Sequence, residues 1–237
     1  MTCIFEDQFD GNLDKWIGEG PPGTIVKVAD GSLLIDTRDA CDRPLVDLEG
    51  LNLWCKTPLS GDWRMSYDLE PIAPVPGDGD RCNLLFMFNC NYQDPKLNLL
   101  DYSWKRNGSY QWLHGNPKSH DHYEKLWDTT IPLMHGHTIT YYRMSPAEAV
   151  PYQIVVRKNP GFHLVKDLKQ TIDDQWNYRH QIHIEKRGND YRFFQNNIES
   201  IAFTENSEFG SAISQGYWGF RTWRAAVRLY SVKVEAL

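Results

Sequence analysis

Residues 179–204 read RHQIHIEKRGNDYRFFQNNIESIAFT, and the pattern of this stretch decides the fold class. Ile182 and Ile184 alternate with Gln181, His183 and Glu185, the period of a half-buried strand. Arg187-Gly188-Asn189-Asp190 is a hairpin turn, and residues 191–195 are its return strand. Asn196-Asn197 turns the chain once more into residues 198–204. The same pattern recurs to either side. Asp30-Gly31 joins the β-branched runs at 24–28 and 32–36. Strands are expected at 53–56 and 63–69, with Pro58 and Ser60-Gly61-Asp62 between them. Residues 82–89 are almost continuously apolar, which predicts a buried central strand. Further strands are expected at 138–143, 152–158, 217–223 and 227–234. About a dozen short strands, with turn signals roughly every 8–12 residues and no amphipathic helix, predict an all-β sandwich or jelly roll of two antiparallel sheets. No Pro- or Ser-rich linker divides the chain, so residues 1–237 are expected to form a single domain.

Composition narrows the function. Acidic residues number 31 against 25 basic ones, and the formal net charge of −6 argues against a broad nucleic-acid-binding surface. No apolar run approaches the ~20 residues that span a bilayer, so no membrane partner is expected. The first residues carry neither a basic nor an apolar leader segment. The expectation is a cytoplasmic protein, or a secreted or periplasmic one whose signal has been removed. Aromatic residues make up 13% of the chain. Flat rings suit both sheet cores and the stacking of sugars. The five cysteines are odd in number and show no Cys-x-x-Cys spacing, which predicts reduced thiols and no metal site.

Candidate binding residues gather in residues 141–164. Arg157 and Lys158 are adjacent cations followed at once by Asn159-Pro160-Gly161, and His163 lies just beyond. Two neighbouring like charges are unfavourable unless an anion offsets them, so an acidic ligand is the economical expectation. Successive strand residues alternate in direction. Arg157 and Lys158 therefore share a site only if the strand ends or bulges between them; otherwise Arg157 meets the ligand and Lys158 faces solvent. Residues 90–136 are the least regular part and are rich in aromatics and histidine. Within them, residues 101–127 are expected to form one wall of the ligand cleft, with Trp104, Trp112 and His114 contributing contacts. His114, His120 and His122 are read as hydrogen-bonding loop histidines rather than metal ligands.

The chemistry follows from which groups are present. A retaining glycosidase on a jelly roll needs two carboxylates on one strand face at Glu-x-Asp-x-Glu spacing, and that spacing is absent. Proton abstraction beside a uronate carboxylate needs cationic neutralisation and a Tyr or His to move the proton. Tyr142 and His163 fit the second role, and Arg157 and Lys158 the first. On residues 179–185, Arg179, Gln181, His183 and Glu185 share one face. Gln181-Ile182-His183 resembles the Gln-Ile-His motif of jelly-roll alginate lyases, although the other strand motifs of those enzymes are absent. Trp218, Phe220 and Phe193 are assigned to the core.

A wider resemblance covers the second half of the chain. Phe5-x-Asp7-x-Phe9-Asp10-Gly11-x-Leu13-x-x-Trp16 resembles the first strand of many concanavalin A-like carbohydrate-active domains. Tyr141-Tyr142-Arg143, Arg157-Lys158-x-x-Gly161-Phe162-His163-Leu164, Tyr178-Arg179 and Gly219-Phe220-Arg221 resemble, in order and spacing, the YesU-like bacterial proteins. That resemblance implies a concanavalin A-like jelly roll with one concave sheet. It also implies a setting among proteins of pectin and rhamnogalacturonan breakdown, with Arg221 on the ligand-bearing sheet. No cofactor is expected beyond a structural calcium ion by analogy with the fold family. The combined expectation is a protein that binds a uronic-acid-containing oligosaccharide or polysaccharide, acting as a polysaccharide lyase through Tyr142, His163 and His183. Arg157, Lys158, Arg179, Gln181, Arg221, Trp104, Trp112 and His114 are then its binding residues. A non-catalytic carbohydrate-binding module or lectin and a glycoside hydrolase are the alternatives.

Overall fold

The computed structural model describes residues 2–19, 24–38, 51–72, 82–92, 94–96, 98–102, 134–143, 153–159, 163–169, 179–206, 208–223 and 225–237. Strands β1 (Cys3–Asp7), β2 (Trp16–Glu19), β3 (Ile25–Ala29), β4 (Ser32–Asp36), β5 (Leu51–Cys55), β6 (Trp63–Ile72) and β7 (Cys82–Tyr92) occupy the first half. The second half holds β8 (Met134–Arg143), β9 (Gln153–Asn159), β10 (His163–Lys169), β11 (His180–Arg187) and β12 (Asp190–Gln195). It ends with β13 (Ile198–Thr204), β14 (Tyr217–Trp223) and β15 (Ala226–Ala236). They form two antiparallel sheets. The eight-stranded sheet runs β13-β12-β11-β6-β15-β4-β3, with β1 also on β15, and the seven-stranded sheet runs β10-β9-β8-β7-β14-β5-β2. Among the described residues the helical structure is one short 3₁₀ turn, Leu99–Tyr102. The expected jelly-roll sandwich is the observed fold.

Alternation explains the layering. In β6, Trp63, Met65, Tyr67 and Leu69 are buried while Arg64, Ser66, Asp68 and Glu70 are partly exposed. The buried set meets Leu84, Phe86 and Phe88 of β7 and Trp218 and Phe220 of β14 in one core between the sheets. Tyr67 stands edge-on to Phe220, with ring centroids 5.3 Å apart, and Phe86 stacks on Phe88 at 5.6 Å. Phe193, Trp218 and Phe220 are all in this core, as their alternation predicts.

The first strand and its turn are held by one carboxylate. Asp7 is buried, its Oδ1 accepts the Phe9 N–H at 2.9 Å, and its Oδ2 accepts the Trp16 Nε1–H at 2.8 Å. Two donors offset the desolvation of the charge. Trp16 is thereby fixed edge-on to Phe5 and Trp218.

Two strands, the edge strands β2 and β10, were not expected from the sequence. Residues 163–169 form β10, the edge of the seven-stranded sheet, with a register shift between Leu164 and Lys166. The shift breaks the polar–apolar alternation by which a strand is recognised.

Candidate functional site

The two faces of the seven-stranded sheet differ in kind. Its inner face carries Ile139, Ile154, Val156, Phe86 and Phe220 into the inter-sheet core. Its outer face is built in rows across the strands. One row passes from Trp54 to Gly219, Met87, Thr138, Arg157 and Leu164. The next passes from Asn52 to Arg221, Leu85, Thr140, Val155 and Asp167. A second apolar cluster covers part of this face, formed by Trp54, Met87, Cys90, Tyr92, Leu99 and Met134. Beyond β7 the chain thus lays Leu99 over the outer face.

Beside that cluster the face is polar. Arg221 is 1% exposed and its Nη1 donates to Asn52 Oδ1 at 2.7 Å, where Asn52 is itself fully buried. Arg157 is partly exposed on β9. The two arginines lie on β9 and β14, three strand spacings apart and one row apart along the strands, a separation of about 16 Å. Between them lie Thr138 and Thr140, both buried. Asn159, two residues beyond Arg157, is buried as well. Among the described residues of these rows the carboxylates lie on the two edge strands, Asp167 exposed on β10 and Glu19 opposite Asn52 on β2.

The expected site residues separate into distinct groups. Arg157 and Arg221 share the outer face. The backbone of Tyr142 continues β8 two residues past Thr140, paired with Asn83 and Gln153, while its side chain lies outside the described part. Trp104, Trp112 and His114 also lie outside the described residues, as do His120 and His122.

Lys158 departs from the expectation. No bulge separates it from Arg157 in the β8–β9 register, so it points inward; yet it does not reach solvent. It is 2% exposed, with Nζ donating to Glu205 Oε1 at 2.6 Å and to the carbonyls of Asn206, Gly210 and Ser211 at 3.2, 3.3 and 3.0 Å. His137, paired with Lys158 across the strands, places Nε2 2.7 Å from Glu205 Oε2. A carboxylate only accepts, so Nε2 carries the hydrogen. Burial raises the Glu205 pKa, but donation from His137 and Lys158 outweighs it and holds the carboxyl below its ordinary value. His163 is exposed at the start of β10, cross-strand from Lys158, and stacks on Phe209 with centroids 4.8 Å apart. Beside it a cavity of about 300 Å³ opens between the sheet edges, lined by Lys158, Val165, Phe203, Glu205 and Phe209. His163 and Lys158 therefore belong to the sandwich edge and interior, away from the outer face that carries Arg157.

The group on β11 is farther away. Ile182 and Ile184 enter the core, so Gln181, His183 and Glu185 lie on the outer face of the other sheet. The two sheets pack about 10 Å apart, and both layers intervene between these residues and Arg221. His183 Nδ1 is 2.9 Å from Ser66 Oγ, and Arg64 binds Glu185 through Nη2 at 2.5 Å. Arg179 pairs with Asp68 and lies 3.9 Å over the Tyr230 ring. Arg192–Glu199 and Lys233–Glu235 pairs complete a face of alternating, mutually neutralised charge. Such pairs account for these side chains without a ligand.

Asn52, Thr138, Thr140 and Asn159 were not singled out by sequence reasoning. Alternation within 138–142 marks the threonines as sharing a face, but nothing in the sequence says which face. Asn159 reads as a turn residue before Pro160. Among the described residues no three His, Cys, Asp or Glu side chains converge to hold a metal ion.

Several solved structures resemble the whole chain. A Bacillus subtilis protein of unknown function with a galectin-like fold is 17% identical, with 99% of this chain and 96% of that one covered and a TM-score of 0.72. The carbohydrate binding module CBM66 from Bacillus subtilis is 14% identical, covering 95% and 98%, with a TM-score of 0.53. A prokaryotic beta-1,3-1,4-glucanase (lichenase) derived from a mouse hindgut metagenome is 11% identical, covering all of both chains, with a TM-score of 0.55. At these identities the likeness is one of fold, the jelly-roll sandwich. No curated protein matches the sequence. Residues 2–232 match the family described as Domain of unknown function (DUF1961), and the chain belongs to that family.

Proposed function

We propose that the outer face of the seven-stranded sheet binds a uronic-acid-containing oligosaccharide or polysaccharide, and that the protein is a polysaccharide lyase. The observation that carries the reading is the placement of Arg157 and Arg221 on one face, about 16 Å apart, across the buried hydroxyls of Thr138 and Thr140. Cations so spaced suit a chain bearing repeated carboxylates better than a single small anion. The resemblance to a carbohydrate binding module and to a glucanase supports a saccharide ligand. The sequence resemblance to YesU-like proteins supports an acidic, pectin-type one.

The shortage of carboxylates on the face favours elimination over hydrolysis. A retaining or inverting glycosidase needs an acid and a second carboxylate flanking the bond, whereas the described rows carry Asp167 and Glu19 on opposite edge strands, six strand spacings or about 29 Å apart. In the elimination, Arg157 neutralises the uronate carboxylate and so acidifies the adjacent C5–H. Tyr142, as its phenolate, takes that proton, the electron pair forms the C4–C5 double bond, and the glycosidic oxygen leaves C4 and receives a proton from the Tyr142 hydroxyl just formed, which restores the phenolate. The products are a new reducing-end chain and an unsaturated uronate.

The test uses polygalacturonate and its carboxyl-reduced counterpart. Wild-type protein should bind only the acidic polymer and generate ultraviolet absorbance from the new double bond. Arg157→Ala should weaken binding about 30-fold, equivalent to about 2 kcal/mol. Tyr142→Phe should lose turnover and keep binding. Acid-selective binding without product would leave a non-catalytic binding module. Equal binding of both polymers, or of neither, would overturn the acidic reading.

A further inference from the structure

We propose that Asn159, Thr138 and Thr140 form a neutral hydrogen-bonding subsite that reads the hydroxyl configuration of the sugar whose carboxylate Arg157 holds; this rests on the acidic-saccharide reading above. The three side chains are contiguous. Thr138 pairs with Arg157 across β8 and β9, Asn159 follows Arg157 by two residues on the same face, and Thr140 follows Thr138 by two. They are 0%, 6% and 2% exposed for Thr138, Thr140 and Asn159.

All of their polar atoms are orphaned. Thr138 Oγ1, Thr140 Oγ1 and both Oδ1 and Nδ2 of Asn159 have no hydrogen-bond partner. Folded proteins satisfy the large majority of buried polar groups, and each exception calls for a cause. Here four such atoms fall in one patch beside an arginine, whereas Trp63 Nε1 and Thr222 Oγ1 occur singly on the core side. The apolar isosteres would cost nothing in packing, so the hydroxyls and amide are retained at the expense of stability.

The chemistry of the patch selects the ligand group. A threonine hydroxyl donates one hydrogen bond and accepts others, and a carboxamide both donates and accepts. Together they complement sugar hydroxyls, which do the same, and they add no charge for a second carboxylate. Threonine is stiff about χ1 and sits here on a regular strand, so each hydroxyl is aimed in a fixed direction. Fixed donors and acceptors discriminate strongly, because an epimer with a displaced hydroxyl leaves them buried and unpaired again.

The experiment uses two 1,4-linked probes of equal charge and different hydroxyl configuration, oligogalacturonate and oligomannuronate, together with carboxyl-reduced oligogalacturonate. Wild-type protein should separate the two uronates by at least tenfold in Kd. Thr138→Val, Thr140→Val and Asn159→Ala should each compress that ratio about tenfold while keeping the preference for acidic over reduced oligomer. Arg157→Ala should do the reverse, losing the acidic preference first. In the absence of sugar, Thr138→Val and Thr140→Val should raise Tm by about 2–4 °C, the gain from removing a buried orphan hydroxyl in a chain of this size. A purely structural role for the hydroxyls predicts a fall in Tm instead. An unchanged epimer ratio in all three variants, with acid-selective binding intact, would overturn the subsite and spare the acidic reading. Loss of acid selectivity in the wild type would overturn both.

Discussion

Replacing Glu205 by Gln isolates the buried charge cluster with almost no change of shape. Glu205 is 4% exposed and meets Lys158 Nζ at 2.6 Å, His137 Nε2 at 2.7 Å and the Ile213 N–H at 3.2 Å. A glutamine must turn its oxygen to Lys158, since its NH2 against an ammonium is repulsive. The NH2 then faces His137 Nε2, and that nitrogen has to give up its hydrogen to accept. The hydrogen moves to Nδ1, which is buried and has no partner. Lys158 keeps three carbonyls but loses its counter-charge. Breaking a buried pair from one side costs about 3–5 kcal/mol. For a chain of this length that is a fall in Tm of about 6–20 °C. The carboxyl of Glu205 lies below its ordinary pKa in the folded protein, because the hydrogen bonds and charges of His137 and Lys158 overcome the upward pull of burial. Its stabilisation is therefore complete above the unfolded value of about 4.3 and disappears as pH falls through the folded one. Urea titrations at neutral pH, and again at increasingly acid pH, should show a deficit that shrinks on acidification at constant m-value. A variant within about 1 kcal/mol of wild type at pH 7, or a deficit that does not change with pH, would refute this account.

Two further outcomes are expected. A Cβ on Gly219 would lie 2.2 Å from the Leu53 carbonyl oxygen on the neighbouring strand, so Gly219→Ala should part β14 from β5 and yield insoluble or much less stable protein, read by solubility and circular dichroism. Arg179→Ala removes an exposed pair with Asp68 and should leave both acidic-glycan affinity and stability within about 1 kcal/mol of wild type, by calorimetry and urea titration.

The fold was legible because most strands alternate cleanly and their turns carry Asp-Gly, Gly-Asn or Asn-Asn. Asp30, Gly31, Gly188, Asn196 and Asn197 all adopt positive φ there. The edge strand β10 was not, since its register shift breaks the period. The site was half legible. Arg157 and Arg221 were found as cations at suitable places, but alternation alone assigns faces only relative to neighbours. It could not tell that Gln181 and His183 sit on one sheet and Arg221 on the other. Lys158 was misread for a different reason. Its counter-charge, Glu205, is 47 residues away in sequence, and a pairing at that range leaves no local pattern.

The surroundings of Lys158 have a mechanical consequence. A carboxylate and three backbone carbonyls around a positive centre resemble the oxygen cage with which loops commonly capture a free cation. Here the cation is tethered to β9 by its own side chain. A captured ion comes and goes with its concentration in solution, and a chelator can strip it away. The tethered ammonium is always at its post, so the placement of Glu205, Asn206, Gly210 and Ser211 around it is independent of ionic supply. Arg157 and Asn159 leave the same strand in the opposite direction, so whatever pulls on Lys158 pulls on the strand that carries them on the outer face.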